Sequence, residues 1–256
     1  MLKEIKYLLR SRSLRFTLDC RSGVIPKQTH TFKWHGKTIY YRPGTSDTEI
    51  IYKILLKTKK RSEYWVPPVV DPKVILDIGG NIGISSIYLA NIFSQARIFT
   101  FEPLPDNFAI LTRNISSYFN IKAFPIALGR SDGVMEMYRS DNHLNFGGFS
   151  FYEEGSDTTF KINVDVRNVN SFLTELGINQ VDMIKIDTEG SEYDIITSFN
   201  ENILQSVKWI IGELHGERDF EVLTYLSKWF DIELKKSLKK RLFIFIACNK
   251  KLTSLI

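Results

Sequence analysis

The stretch from Asp77 to Gly83, within LDIGGNIG, sets a carboxylate, two glycines and an asparagine at DxGxNxG spacing between a β-branched run and a helical one. A junction of this kind turns the chain sharply and presents backbone N–H groups at a helix N-terminus, where they can face a nucleotide. Gly79 and Gly83 permit close backbone approach, and Asn81 belongs to one of the few other residue types that tolerate a positive φ. The spacing does not satisfy the GxGxxG fingerprint of dinucleotide sites. Asp77 would repel a pyrophosphate. It either attracts the cationic amino-acid end of a sulfonium nucleotide, S-adenosylmethionine, or orders the turn. Glu102 ends the next apolar run, in FTFEP, and is placed to accept hydrogen bonds from both ribose hydroxyls.

A second group of residues could do chemistry on that nucleotide. IKIDTEGSE carries Lys185, Asp187 and Glu189, and ELHG carries Glu213 and His215, each at a strand end. Methyl transfer is an in-line displacement at a sulfonium carbon, so the acceptor oxygen must be aligned behind the methyl and relieved of its proton. An ordinary imidazole pKa of about 6.5 makes His215 the first candidate base. Asp187 and Glu189 would orient it or the acceptor hydroxyl, and Glu213 would contact the acceptor. The acids Asp187, Glu189 and Glu213 could instead bind Mg²⁺, but nothing in their spacing fixes octahedral geometry, so a divalent metal is not favoured and no metal ligand is assigned. In HLNFGGFSF, Asn142, Asn145 and Ser150 can hydrogen-bond, while Phe146 and Phe149 can stack on an acceptor ring. That segment reads equally as an acceptor lid and as a glycine-bent connection. His30, His35 and His143 read as structural.

Elements able to position these groups follow from periodicity. From Lys73 onward, β-branched runs alternate with helical stretches, the pattern of βαβ units and a parallel sheet. Strands are predicted at 74–78, 97–101, 122–128, 182–186 and 209–214, and helices at 84–93 and 106–115. Residues 134–170 form a strand-rich insertion. FDIELKK and RLFIFIACN pair as a closing antiparallel hairpin whose basic connection, KKSLKKR, is a solvated turn. Residues 1–72 read as an N-terminal helical and hairpin extension. TFKW and KTIYYR flank a turn at His35-Gly36, TEIIYKILLK is helical with Asp47 as its cap, and the prolines at 67, 68 and 72 mark a boundary. The main domain is then 73–256.

In order and spacing, RPGTSD, LDIGGNIG, FEP, ALGRSDG, NFGGFSF, IKIDTEGSE and ELH resemble the FkbM-type methyltransferase family over Phe32 to Asn249. The resemblance implies an α/β fold with a class I methyltransferase Rossmann-like sheet, mostly parallel with an antiparallel C-terminal hairpin strand, plus the N-terminal helix and hairpin extension. It implies S-adenosylmethionine-dependent O-methyl transfer to a hydroxyl of a sugar, glycan or small natural product. By resemblance Asp77, Gly79, Asn81 and Gly83 hold the methionine end of the donor and Glu102 the ribose. Ala127 and Leu128 line the adenine pocket, with Asp132 a polar partner for the base, and Asp187 stands between donor and acceptor. Gly80 departs from the alanine more usual in the family, a change read as added flexibility.

Bulk properties narrow the alternatives. The excess of 34 basic over 29 acidic residues, +5, is too small and dispersed to argue for nucleic acid. An RNA methyltransferase is therefore an alternative rather than the favoured reading, as is a non-catalytic interaction module of the same fold. Cys20 and Cys248 lack metal or disulfide spacing and point to a reducing, cytoplasmic setting. No apolar run reaches transmembrane length, and charged residues interrupt the N-terminal stretch MLKEIKYLLRSRSLRF, which could lie on a membrane surface but is expected to pack on its own domain. Oligomeric state is not legible.

Overall fold

The computed structural model describes residues 2–21, 28–57, 59–140, 149–150, 156–215, 218–236 and 243–253. The chain opens with two short helices, α1 (Leu2–Ser11) and α2 (Leu14–Asp19). Ser13 caps the second, its hydroxyl oxygen accepting the Phe16 N–H at 3.1 Å. Strands β1 (His30–Trp34) and β2 (Lys37–Tyr41) form the expected hairpin. His35 and Gly36 at its tip have φ of +49° and +79°, the paired left-handed residues that a two-residue hairpin turn needs. Helix α3 (Ser46–Ile51) follows and widens into one further turn over 52–56. Its cap is Thr45, not Asp47: the Thr45 hydroxyl accepts the Asp47 N–H, and the Asp47 carboxylate turns back to Arg42.

The remaining elements are β3 (Val74–Ile78), α4 (Ile84–Ile92), β4 (Arg97–Phe101), α5 (Pro105–Ile115), β5 (Ile121–Phe124), β6 (Ala127–Gly129), β7 (Gly133–Ser140), β8 (Phe149–Ser150), β9 (Ser156–Asn168) and α6 (Val169–Glu175). After these come β10 (Met183–Ile186), α7 (Glu192–Ser198), α8 (Glu201–Ser206), β11 (Trp209–Leu214), α9 (Asp219–Leu226), β12 (Phe230–Lys236), β13 (Phe243–Asn249) and α10 (Lys250–Thr253). The main sheet has the order β12-β13-β11-β10-β3-β4-β5. Only β13 runs antiparallel to its neighbours, so the sheet is the mostly parallel, Rossmann-like arrangement with a closing hairpin strand that the class I methyltransferase reading implies. A second sheet, β6-β9-β7-β8, carries the described part of the insertion.

One expected strand is broken. KAFPIAL splits at Pro125 into β5, at the edge of the main sheet, and β6, in the small sheet, because proline has no N–H to continue a ladder.

The main sheet is covered on both faces, which is why its parallel strands read as continuous apolar runs. Alternation sends Ile75, Ile98 and Ile211 to one face and Leu76, Phe99 and Ile210 to the other. Phe16, Ile39, Tyr41 and Ile51 of the N-terminal segment are fully buried against the first face. Burying an aliphatic or aromatic side chain of this kind is worth about 1.5–3 kcal/mol. The segment is thus one of the layers of the fold. Among the described residues no helix is long and apolar enough to cross a membrane.

Candidate active site

Strand order reverses between β3 and β10: the chain proceeds from β3 outward to β5 on one side and from β10 to β11 on the other. The crevice beyond the carboxyl ends at such a switch point is where open α/β sheets bind ligands. Both sequence motifs end there. Lys185 stands beside Asp77 in the β3–β10 register, and the Asp187 N–H bonds the Ile78 carbonyl at 3.1 Å.

The turn after β3 is held tightly. The Gly79 and Gly80 N–H groups both donate to the Phe101 carbonyl, at 3.0 and 2.9 Å. Gly79 has φ +78°, and a Cβ there would lie 1.9 Å from the Asp187 carbonyl oxygen. Asn81 has φ +48°. At Gly80 the reason for glycine is steric rather than conformational, since a Cβ would lie 2.2 Å from the Thr100 Oγ1. The added flexibility expected at Gly80 is therefore corrected: the Thr100 hydroxyl occupies the space an alanine methyl would fill.

Asp77 is completely buried beneath this turn. Its Oδ2 accepts from Ser85 and Ser86 at 2.6 and 2.5 Å, and its Oδ1 lies 3.3 Å from the Lys185 Nζ. That ammonium also donates to the Gly79 carbonyl at 2.6 Å. Of the two roles open to Asp77, the geometry selects ordering the turn. Neither Asp77 nor Gly83, which starts α4 at φ +84°, lines the cavity above.

Glu102 does line it, though only 4% exposed. Its Oε2 accepts the Asn81 N–H at 2.7 Å, and its Oε1 accepts the Leu104 N–H at 3.0 Å and the Asn107 amide at 3.3 Å. Burial raises its pKa against these hydrogen bonds. Asn107 in turn accepts from the Arg42 guanidinium at 2.8 Å, and Arg42 is paired with the fully buried Asp47 through Nε and Nη2, at 2.8 and 2.9 Å. This chain of contacts ties RPGTSD to the acid of FEP.

The cavity has a volume of about 540 Å³. Gly79, Asn81, Glu102, Ala127 and Leu128 line it, as do Thr45, Lys53 and Tyr64 of the N-terminal layer. Asp132 is not part of it. Its carboxylate is exposed and accepts from the Asn168 N–H and from Arg167 at 3.2 Å, which corrects its assignment as a partner of the base.

Beside the turn after β3, four carboxylates surround one imidazole. The His215 Nδ1 lies 3.2 Å from Glu192, and Nε2 lies 3.6 Å from Asp187, 3.8 Å from Glu189 and 4.0 Å from Glu213. Burial alone would lower the His215 pKa, but the Glu192 hydrogen bond and the Asp187 and Glu189 charges push it up to about 10. At neutral pH the ring is therefore an imidazolium, and the expectation of a base with an ordinary pKa is corrected. Burial raises Glu189 to about 8 and Glu213 to about 7, reinforced by neighbouring carboxylates and opposed by His215. Asp187 moves the other way. Burial would raise it, but Lys185, His215 and a 3.0 Å hydrogen bond from the Tyr64 hydroxyl hold it below the usual carboxylate range. Glu189 also has φ +54°, a strained backbone for a non-glycine residue of the sort found where a site over-determines its chain.

Asp187, Glu213 and His215 bring ligand atoms within 4.8 Å of one another, close enough to share a cation. The expected residues Asp187, Glu189, Glu213 and His215 thus converge. Of the expected acceptor residues, Asn145 lies outside the described residues, with Asn142 and Phe146, and Phe149–Ser150 is described only as the short strand β8 beside β7. Reading the sequence missed Tyr64, Glu192 and the Arg42–Asn107 link. Glu192 closes IKIDTEGSE and Arg42 opens RPGTSD, so both stood inside recognised motifs; Tyr64 carried no signal.

The Methyltransferase FkbM domain family model matches residues 77–244. Among similar proteins, the AMB antimetabolite synthetase AmbE of Pseudomonas aeruginosa is 25% identical over 210 residues, 68% of this chain but only 10% of that protein. Methyltransferase 1 of Beauveria bassiana is 26% identical over 78% of this chain and 88% of its own length. The hexuronic acid methyltransferase AglP of Haloferax volcanii is 30% identical over 60% of each chain.

Proposed function

The chain belongs to the FkbM methyltransferase family, and on that premise we propose that it is an S-adenosylmethionine-dependent O-methyltransferase acting on a hydroxyl of a sugar, in a glycan or a small natural product. The observation that carries this reading is the pairing, in one cavity, of a glycine-cradled turn and Glu102 with the Asp187–Glu189–Glu213–His215 cluster. The residues suit the donor: Gly79 and Asn81 bring backbone to the cavity wall, and Glu102 is buried yet lines the cavity. Gly79, Asn81, Glu102, Ala127 and Leu128 would hold it. When bound, S-adenosylmethionine supplies a methyl carbon made electrophilic by its sulfonium.

The cluster supplies what an alcohol acceptor requires. Glu213 and Glu189, with pKa values of about 7 and 8, are the groups able to exchange a proton near neutrality, so they take the proton of the acceptor hydroxyl. His215 stays charged, offsets the acids and, through Glu192, keeps Nε2 aimed at them. Asp187, anchored by Tyr64 and Lys185, positions the cluster against the turn. The sugar assignment draws on AglP, named for a sugar acid that offers only oxygen nucleophiles. Transfer of labelled methyl to a panel of glycans, small alcohols and RNA tests the reading. Label on a sugar hydroxyl supports it, and label confined to RNA, or no transfer to any hydroxyl, overturns it.

A metal-assisted reading competes, favoured by the ligand spacing of Asp187, Glu213 and His215. Exhaustive chelation separates the two: unchanged turnover leaves the glutamates as proton acceptors, and a loss restored by Mg²⁺ assigns that task to a cation.

A further inference from the structure

The first two helices present an apolar face that the fold does not cover. Ile5, Leu8 and Leu9 in α1 are 49%, 40% and 71% exposed, and Leu14 and Leu18 in α2 are 64% and 55% exposed. Spacings of three and four place each set on one side of its helix. The opposite side of α1 is already taken: Tyr7 and Ser11 are buried, and the Tyr7 ring meets Tyr52 edge-on at 4.1 Å. Packing on the domain, the expected fate of this segment, thus uses one face and leaves the other in solvent. Five large apolar side chains exposed within fourteen residues are a concentration that calls for a binding role.

The charge beside that face identifies its occupant. Lys6, Arg12 and Arg15 are exposed among the leucines. Among the described side chains of residues 5–21 the one acid, Asp19, is buried and accepts from Tyr41 and His30 at 2.6 and 2.8 Å. Two helices that each expose large apolar side chains with exposed basic residues interspersed match the acyl–headgroup boundary of an anionic bilayer. A second copy of the chain fits less well, since a two-fold interface through this face would oppose the same positive charges.

We propose that α1 and α2 dock the protein on an anionic membrane surface, with Ile5, Leu8, Leu9, Leu14 and Leu18 in the boundary layer and Lys6, Arg12 and Arg15 against lipid phosphates. Tyr7 of α1 and Cys20, which follows α2, line the cavity, so the docking segment borders the candidate site. The proposal does not depend on the methyl-transfer reading.

Sedimentation of the full-length protein with vesicles tests it, comparing phosphatidylcholine alone with phosphatidylcholine mixed with phosphatidylglycerol at about 0.15 M salt. Each basic side chain near an anionic surface is worth about fivefold in partitioning, so at least tenfold stronger binding to the anionic vesicles is expected. Leu8→Ser/Leu9→Ser and Lys6→Gln/Arg12→Gln/Arg15→Gln should each lower that binding at least tenfold. Circular dichroism and the midpoint of chemical denaturation should be unaltered in both variants, because every substituted side chain is exposed. Equal partitioning to neutral vesicles, absence of binding to either, or full binding by the leucine variant would overturn the proposal. So would light scattering that shows a dimer dissolved by the leucine substitutions while vesicle binding is absent.

Discussion

His215 carries its proton because of what surrounds it. Glu192, Asp187 and Glu189, all within 3.8 Å, outweigh the burial that would otherwise discharge the ring. Burial, reinforced by the neighbouring carboxylates, raises Glu213 and Glu189, and these opposite consequences decide which group can accept a proton. A carboxyl must be ionised to act as a base, so turnover should climb as pH rises through about 7 to 8, the range of the two glutamates. If the imidazole were the acceptor, the climb would instead centre on about 10. Glu189→Gln and Glu213→Gln should each lower kcat by about 10²–10⁴-fold with donor affinity little changed, measured by single turnover and calorimetry. Glu102 has the complementary role. Hydrogen bonds to a charged group are worth about 1.5–3 kcal/mol, so Glu102→Ala should weaken S-adenosylmethionine binding by roughly ten- to a hundredfold. Equal affinity in a titration calorimeter would remove the ribose assignment.

Between elements, the turn after β3 shows how packing chooses a residue that local preference does not. Gly80 has no left-handed φ to justify it; its neighbour Thr100 on β4 does. Thr100 is fully buried and its Oγ1 has no hydrogen-bond partner, so the hydroxyl contributes little beyond filling space. Gly80→Ala should therefore destabilise the fold by about 1–3 kcal/mol, the usual cost of overpacking. Adding Thr100→Ala should recover most of that loss. A double-mutant cycle by chemical denaturation measures the coupling, and strict additivity would show that the two side chains do not compete for the same volume. The break of KAFPIAL at Pro125 is a second case: an apolar run readable as one strand belongs to two sheets because one residue lacks an N–H.

For the molecule as a whole, the N-terminal layer and the sheet act as one unit. Its aromatic residues fill the core beneath the sheet, its Lys53 and Tyr64 close the cavity, and its Arg42 reaches Glu102 through Asn107. Removing one partner of a buried ion pair leaves an uncompensated charge and costs about 3–5 kcal/mol. Arg42→Met, which strands the buried Asp47, should lower stability by that order in chemical denaturation and weaken donor binding through the loosened Asn107–Glu102 contact. A variant that loses stability but keeps full donor affinity would show that the link is structural alone.

What the sequence by itself determined is what neighbouring residues encode: the hairpin at His35-Gly36, the alternation of strands and helices after Lys73, and the glycine turn after β3 with the acid that follows β4. Each is a local pattern of periodicity or a contiguous motif. The convergence of Asp187, Glu189, Glu213 and His215 was also legible, because parallel strands deliver their carboxyl ends to one side. Tertiary structure alone decided the charges and partners. Asp77 lies beneath the glycine turn because Ser85, Ser86 and Lys185 enclose it. Tyr64 reaches Asp187 across 123 residues of chain. The His215 pKa is pushed up because Asp187 and Glu189, beyond one strand end, and Glu192, at the start of a helix, meet around it. Electrostatic environment is a sum over neighbours in space, and no window along the chain contains that sum.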